Sequence, residues 1–220
     1  MNARKLLKAA ELPGLYDKIN RQLDQVGIES QPAVAARLVE LVQDPSAGPV
    51  EFSRSIRNDA AICGRLLKLV NSAAFAQMKE VTSVDRACML LGQERLRSIT
   101  LGFYLSRSAT DPEHEELSRR IWGEGVLRGC IAAELAQQTG GAGVSEAFLV
   151  GLLLDAGVPV MNRLLKDRYA ELCDPEIEPE RRYQLEFESL PMTHIDVGVA
   201  LCKRWKLPEL LTKPMAWHHT

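Results

Sequence analysis

The stretch Arg65-Leu-Leu-Lys-Leu-Val-Asn-Ser-Ala-Ala-Phe75 indicates which secondary structure this chain forms. Together with Ile62, its residues Leu66, Leu69 and Val70 recur every three or four positions, which is the spacing of one helix face. Two earlier segments show the same spacing: Leu15, Ile19, Leu23 and Val26, and then Val34, Leu38, Leu41 and Val42. No segment alternates apolar and polar residues for long enough to predict a strand. We therefore predict an all-α protein, folded as a compact helical bundle.

The composition argues against two classes of partner. The chain has 220 residues, with 27 Lys and Arg against 29 Asp and Glu, so it lacks the basic surplus typical of proteins that bind nucleic acid. Its longest apolar run, residues 147–160, is shorter than the ~20 residues that cross a bilayer and is interrupted by Gly151, Asp155 and Gly157. The five cysteines form no C-x-x-C pair, which is typical of a reduced compartment. We predict a cytoplasmic protein that uses neither nucleic acid nor a membrane.

A polar connection, Ser108-Ala-Thr-Asp-Pro-Glu-His114, predicts two packed helical subdomains, residues 1–110 and 111–220. In the first, Ser83 can cap a helix that Gly92 ends. In the second we predict a long helix over about 113–138, an apolar helix after Ser145 that ends near Gly157, a surface excursion over 174–182, and two last helices that begin at Thr193 and Pro208. Thr193 and Asp196 have the spacing of a capping box.

Four polar residues are candidates for a functional site. Asp155 interrupts the apolar run Gly151-Leu-Leu-Leu-Asp-Ala-Gly157, where an acid faces solvent, pairs with another group or binds a metal. His194 follows the predicted cap and is typical of a locally hydrogen-bonded histidine. His218 and His219 are adjacent, and adjacent residues of a helix point about 100° apart. We therefore expect at most one of these two histidines to face a given site.

Several segments resemble the HDOD family, a helical output module of bacterial signalling proteins that is related to the HD-domain phosphohydrolases. The resemblance rests on Leu69-Val-Asn-Ser-Ala-Ala-Phe75 followed by the helix that ends at Leu90-Leu-Gly92, on Gly151-Leu-Leu-Leu-Asp-Ala-Gly157, on His194-Ile-Asp-Val-Gly198 and on His218-His219. It covers one continuous domain over about residues 12–220, with an HD-like second half. It implies a protein partner in a two-component or cyclic-dinucleotide signalling pathway.

The departures from the HD pattern decide what the resemblance implies about activity. The first metal-binding histidine of HD enzymes aligns with Glu124, and the histidine of the His-Asp doublet aligns with Leu154, so only Asp155 is kept with certainty. The resemblance also implies that His194 and one of His218 and His219, which lie far from Asp155 in the sequence, contribute to the same cleft. We call this cleft the pseudo-active-site cleft. Leucine donates no lone pair, and a hydrolase needs enough ligands to activate a metal-bound water. The resemblance therefore implies a non-enzymatic regulatory module with no metal or other cofactor, which binds a partner protein or a small signalling ligand.

Two alternatives stay open at this stage. The first is a residual metal-dependent phosphohydrolase that acts on a nucleotide or cyclic dinucleotide, with a single divalent ion for which Asp155 and His194 are the weak candidate ligands. The second is nucleic-acid binding through Arg95, Arg97 and Lys203-Arg-Trp-Lys206, although these small clusters are typical of solvated helix faces.

Asn71 and Ser72 lie at the end of the helix that contains Leu66. Asn and Ser side chains satisfy backbone groups at helix ends. We therefore predict a structural role, in which both residues cap and anchor this turn against the neighbouring helix.

Overall fold

The computed structural model describes residues 12–28, 40–41, 44, 46–57, 60–71, 79–109, 113–140, 143–207 and 209–219. These residues form helices and no strand, so the all-α prediction is confirmed for the part of the chain that is described. They group into two compact units. Unit 1 comprises Met1–Ser30, Ala109–Ile121 and Leu154–Thr220, and unit 2 comprises Gln31–Ser108 and Trp122–Leu153.

The helices are numbered here in chain order. Unit 1 contains α1 (Leu12–Gln25), α7 (Gly157–Leu165), α8 (Asp167–Ala170), a 3₁₀ helix (Glu171–Cys173), α9 (Pro179–Ser189), α10 (His194–Arg204) and α11 (Glu209–Trp217). Unit 2 contains α2 (Pro49–Ile56), α3 (Ala60–Val70), α4 (Val84–Ala109) and α6 (Val144–Leu153). Helix α5 (Glu115–Thr139) has residues in both units.

This division differs from a boundary at residue 110. The first 30 residues belong with the C-terminal part of the chain, and residues 122–153 belong with the N-terminal part. Helix α5 follows the polar connection that suggested the boundary, and this helix continues from one unit into the other. A polar loop marks a break between helices, and it does not reveal which helices pack together.

Unit 2 contains the two helix ends that the sequence analysis predicted at Gly92 and at Asn71. Gly92 has φ 71°, a conformation that interrupts helix α4, so the predicted helix end at this glycine is confirmed. The Asn71 side chain forms two hydrogen bonds with the backbone of Val81: its Nδ2 donates to the carbonyl oxygen at 2.9 Å, and its Oδ1 accepts from the amide at 2.7 Å. Asn71 therefore ties the end of α3 to the segment before α4. Ser72 lies outside the described residues.

The apolar segment Glu146–Leu165 passes a length and composition test for a membrane span, and among the described residues no other segment does. However, 67% of its most apolar window is buried inside the protein. The segment is also divided by a turn at residues 154–156, with α6 in unit 2 and α7 in unit 1. Both properties are typical of helices that line a protein core.

Helices α7 and α10 cross closely in unit 1, and this crossing positions the site described below. A Cβ atom added at Gly157 would overlap the carbonyl oxygen of His194, which is a backbone atom that cannot rotate away. The surrounding residues of both helices are fully buried, including Val158, Met161, Val197 and Ala200. The helices therefore approach each other at a position that only glycine allows.

We expect Gly157→Ala to lower the free energy of unfolding by about 1–3 kcal/mol, because the methyl group forces α7 and α10 apart. Chemical denaturation measures this loss. Gly123→Ala is the matched control, since an added Cβ there meets nothing within 4 Å. It should leave the free energy of unfolding unchanged or raise it by up to about 1 kcal/mol through helix propensity. Equal stability of Gly157→Ala and the wild type would contradict the close crossing.

Candidate metal centre

Four potential metal ligands converge in unit 1. Asp155 lies in the turn before α7, His194 is the first residue of α10, and His218 and His219 follow the end of α11. One ligand atom from each residue lies within 4.8 Å of the corresponding atoms of the other three. His194 is fully buried, Asp155 is 4% exposed, and the side chains of His218 and His219 are 13% and 9% exposed. The predicted capping box of Thr193 and Asp196 is confirmed and fixes the start of α10.

His218 and His219 both belong to this cluster, so the expectation that at most one would face a site was wrong. That expectation assumed that both residues are helical. Helix α11 ends at Trp217, however, and the two histidines lie in the turn after it. Their ring centroids are 4.3 Å apart, and both lie close to His194, at 5.4 and 5.2 Å between ring centroids.

The Nδ1 atoms of all three histidines face groups that only accept hydrogen bonds. His194 Nδ1 is 2.7 Å from a carboxylate oxygen of Glu186, and His219 Nδ1 is 2.9 Å from a carboxylate oxygen of Glu180. His218 Nδ1 is 2.8 Å from the carbonyl oxygen of Met215. Nδ1 therefore carries the proton in each ring, and in the neutral ring Nε2 is left with a lone pair. This is the tautomer that binds a metal ion through Nε2, with the outer partner fixing the ring.

Three of the four ligand atoms are spaced nearly as they would be around one tetrahedral ion. His194 Nε2 is 3.3 Å from His218 Nε2 and 3.5 Å from Asp155 Oδ1, and His218 Nε2 is 3.8 Å from the same oxygen. A tetrahedral ion with bonds of about 2.0–2.2 Å places its ligands roughly 3.3–3.6 Å apart. His219 Nε2 is buried and has no hydrogen-bond partner among the described residues. Burial lowers the pKa of His219, which favours the neutral ring that a metal requires.

Buried charges surround the cluster. Arg182, 4% exposed, lies 3.5 Å from Asp155 Oδ1 and 3.9 Å from Glu186 Oε1. Glu186 is fully buried and accepts hydrogen bonds from the backbone amide of His194 at 2.8 Å and from the Tyr169 hydroxyl at 2.6 Å. Burial alone would raise the pKa of Glu186, but the hydrogen bonds from His194 and Tyr169 hold it below its usual value, so Glu186 is ionised at neutral pH.

The donor set and the charge decide which ion fits. Two buried carboxylates and one guanidinium leave a net negative charge next to the three imidazoles, which favours a bound cation. Three nitrogens and one oxygen suit a first-row transition ion such as Zn²⁺, whereas Mg²⁺ and Ca²⁺ prefer all-oxygen sites. The residues present therefore fit a single transition-metal ion, which the sequence analysis had left open only as an alternative.

Among the other residues that the sequence analysis singled out, none whose side chain is described belongs to this cluster. Glu124 is half-buried in the part of α5 that belongs to unit 2. Leu154 precedes Asp155 and has no ligand atom to offer. The side chains of Arg95 and Arg97 lie outside the described residues. Lys203 is exposed at the end of α10, with its ammonium group 3.7 Å from the ring centroid of Tyr16.

Sequence reasoning missed the residues that orient the ligands. The predicted surface excursion over 174–182 instead leads into helix α9, and Arg182 is buried in that helix. The overlooked signal was Pro179, which suits the first turn of a helix, followed by Arg182, Tyr183 and Glu186 at helical spacing. Charged residues in such a segment look solvated when their buried partners are far away in the sequence.

Comparisons with known proteins agree with this fold. An uncharacterized protein of Treponema pallidum is 28% identical over 201 residues, which cover 87% of this chain and 38% of that protein. The crystal structure of an HDOD domain protein of unknown function from Geobacter sulfurreducens superposes with a TM-score of 0.68 at 25% identity, covering 86% of this chain and 64% of that one. A Shewanella amazonensis protein, named provisionally as a phosphohydrolase, gives a TM-score of 0.69 at 25% identity, covering 89% of this chain and 70% of that one.

The chain thus spans less than two thirds of the Treponema and Geobacter proteins. The sequence model of the HDOD domain matches residues 28–220, which is most of the chain and includes all four residues of the cluster. Since the helical fold agrees as well, this chain belongs to the HDOD domain family.

Proposed function

We propose that this chain is a non-enzymatic signal-transduction module that binds a partner protein and holds one divalent transition-metal ion in a closed site. The observation that carries the proposal is the convergence of Asp155, His194, His218 and His219, whose ligand atoms all lie within 4.8 Å of one another. Four protein ligands complete a tetrahedral shell and leave no position for the water that a hydrolase activates. The ion is an addition to the sequence-based expectation, which assigned no cofactor.

The role of the ion in this proposal is structural. It joins three separate parts of unit 1: the turn before α7, the start of α10 and the turn after α11. A structural ion bound by residues distant in sequence contributes its binding energy to folding. The proposal of a protein partner is separate from the metal site. It rests on membership of the HDOD family, because output modules of signalling proteins act on a partner protein.

The second candidate is residual phosphohydrolase activity. It is favoured by the metal-binding character of the four side chains and by the provisional name of the Shewanella relative. Against it, Leu154 stands where HD enzymes have a histidine, and a bound ion with four protein ligands has no open position. The two candidates differ in whether the metal-loaded protein turns over a phosphodiester.

Turnover of the metal-loaded chain tests the proposal. The protein is loaded with Zn²⁺, Mn²⁺ or Fe²⁺ and assayed with a chromogenic phosphodiester and with a cyclic dinucleotide. We expect the wild type to hydrolyse no more substrate than the variant Asp155→Asn, in which a neutral amide replaces the ligand carboxylate. Metal-dependent hydrolysis that disappears in Asp155→Asn would overturn the non-enzymatic assignment and establish the second candidate.

Partner binding needs a separate experiment. Metal-loaded protein is used to capture proteins from its native host, and each captured signalling protein is purified and titrated against the chain by calorimetry. We expect one of them to bind with a defined stoichiometry. If none binds saturably, the partner assignment is wrong, whatever the metal content of the chain.

A further inference from the structure

Helix α9 supplies outer contacts to three of the four candidate ligands. Glu180 accepts a hydrogen bond from His219 Nδ1, and the Tyr183 ring stacks on the His219 ring with centroids 4.7 Å apart and an angle of 7° between the planes. Arg182 lies 3.5 Å from Asp155, and Glu186 accepts from His194 Nδ1 at 2.7 Å. These four residues share one face of α9, so a single helix orients ligands that come from three other parts of unit 1.

The most deeply buried side chains of α9 all contact candidate ligands, whereas its Leu185 and Phe187 are only half-buried. Its buried residues are Arg182, Tyr183 and Glu186, and each of them contacts a candidate ligand. Only Tyr183 among them also packs in an apolar cluster, with Ile195 and Val199. The helix has no fully buried aliphatic side chain, which is the usual source of helix docking energy. Its docking therefore depends in part on contacts with the residues that would bind the ion.

We infer that the docking of α9 is coupled to metal occupancy, so that the helix is held tightly in the metal-bound chain and opens more readily when the ion is removed. This inference rests on the proposed metal site and adds a regulated element to it. Outer partners of metal-binding histidines typically change metal affinity 10–100-fold. Coupling between two equilibria is reciprocal, so the ion should strengthen the docking of α9 by the same factor.

Hydrogen exchange of the full chain measures this coupling. Amide protection is compared between protein saturated with Zn²⁺ and protein stripped with a chelator, both at the same pH. In the stripped protein we expect the amides of residues 183–189 to lose about 10–100-fold in protection. The amides of α1, in the same unit, should change much less. A uniform loss over unit 1, or no loss in α9, would overturn the inference.

The same experiment separates this inference from the proposed function. If the chain binds no transition metal at all, both the metal site and the coupling that rests on it are wrong. If it binds the ion but α9 exchanges identically with and without it, the metal site stands and the coupling is wrong.

Substitutions of Glu180 test whether this residue positions the ring of His219. The Glu180 side chain is 62% exposed, so its loss should not prevent folding. We expect Glu180→Ala to weaken Zn²⁺ binding about 10-fold and to reduce α9 protection in the metal-bound state, because His219 loses the acceptor that fixes its ring. Glu180→Gln keeps an acceptor oxygen and should restore most of both. Glu188→Ala, at an exposed position of the same helix, is the matched control; equal affinities of Glu180→Ala and Glu188→Ala would contradict this role.

Discussion

Glu186→Ala is expected to lower the free energy of unfolding by about 3–5 kcal/mol, the largest loss that we predict for a single substitution in this chain. Glu186 is fully buried, and its two oxygens accept three hydrogen bonds: from the Tyr169 hydroxyl, the His194 amide and the His194 ring. Removing the carboxylate leaves these donors buried without an acceptor and removes one of the two carboxylates next to Arg182. Denaturation in the presence of a chelator measures the loss without a contribution from metal.

Two other variants make this result specific. Glu188→Ala, exposed on the same helix, should change the free energy of unfolding by no more than about 0.5 kcal/mol. Glu186→Gln keeps an oxygen that can accept from His194 and should lose less than Glu186→Ala. If Glu186→Ala were as stable as Glu188→Ala, the buried network would not hold α9 and α10 together as described.

Metal binding is expected to raise the thermal stability of the chain strongly. At a free Zn²⁺ concentration about 1,000 times Kd, the free energy of unfolding should rise by about 4 kcal/mol. For a chain of this size this corresponds to an increase in Tm on the order of 10 °C. His194→Ala should abolish the increase, because it removes the fully buried ligand that lies 3.3 Å from His218 Nε2 and 3.5 Å from Asp155 Oδ1. Differential scanning calorimetry with and without Zn²⁺ measures both shifts.

The fourth histidine of the chain provides the control. His114 lies in the segment before α5 and is not part of the cluster. His114→Ala should therefore keep the full Zn²⁺-dependent increase in Tm, even if its own Tm differs slightly from that of the wild type. An increase that persists in His194→Ala would contradict the assignment of the four ligands, since it would place the stabilising ion elsewhere.

The helical fold was predictable because its signals are local. The apolar spacing around Leu66 and the pair Thr193 and Asp196 depend on neighbours within one or two helical turns. The interruption at Gly92 is equally local, because glycine tolerates the positive φ that ends this part of α4. The composition of the two units was not predictable in this way, since the packing of α1 with the C-terminal helices depends on contacts between residues far apart in the sequence.

The candidate site was predictable only in part. Asp155 stood out because an acid in an apolar run needs a partner, and His194 because of the resemblance. The joint contribution of His218 and His219 depends on α11 ending at Trp217, and sequence patterns locate helix ends to within only a few residues. The role of α9 was hidden for a different reason: Arg182 and Glu186 look like solvated charges until Asp155 and His194 are placed beside them.

The metal content of the chain shows whether Asp155, His194, His218 and His219 form one closed site. The protein is purified without chelator, equilibrated with Zn²⁺, passed through a desalting column and analysed by plasma mass spectrometry. We predict one ion per chain in the wild type and in His114→Ala, and a nearly metal-free chain in His194→Ala. Two ions per wild-type chain, or none, would contradict a single closed site formed by Asp155, His194, His218 and His219.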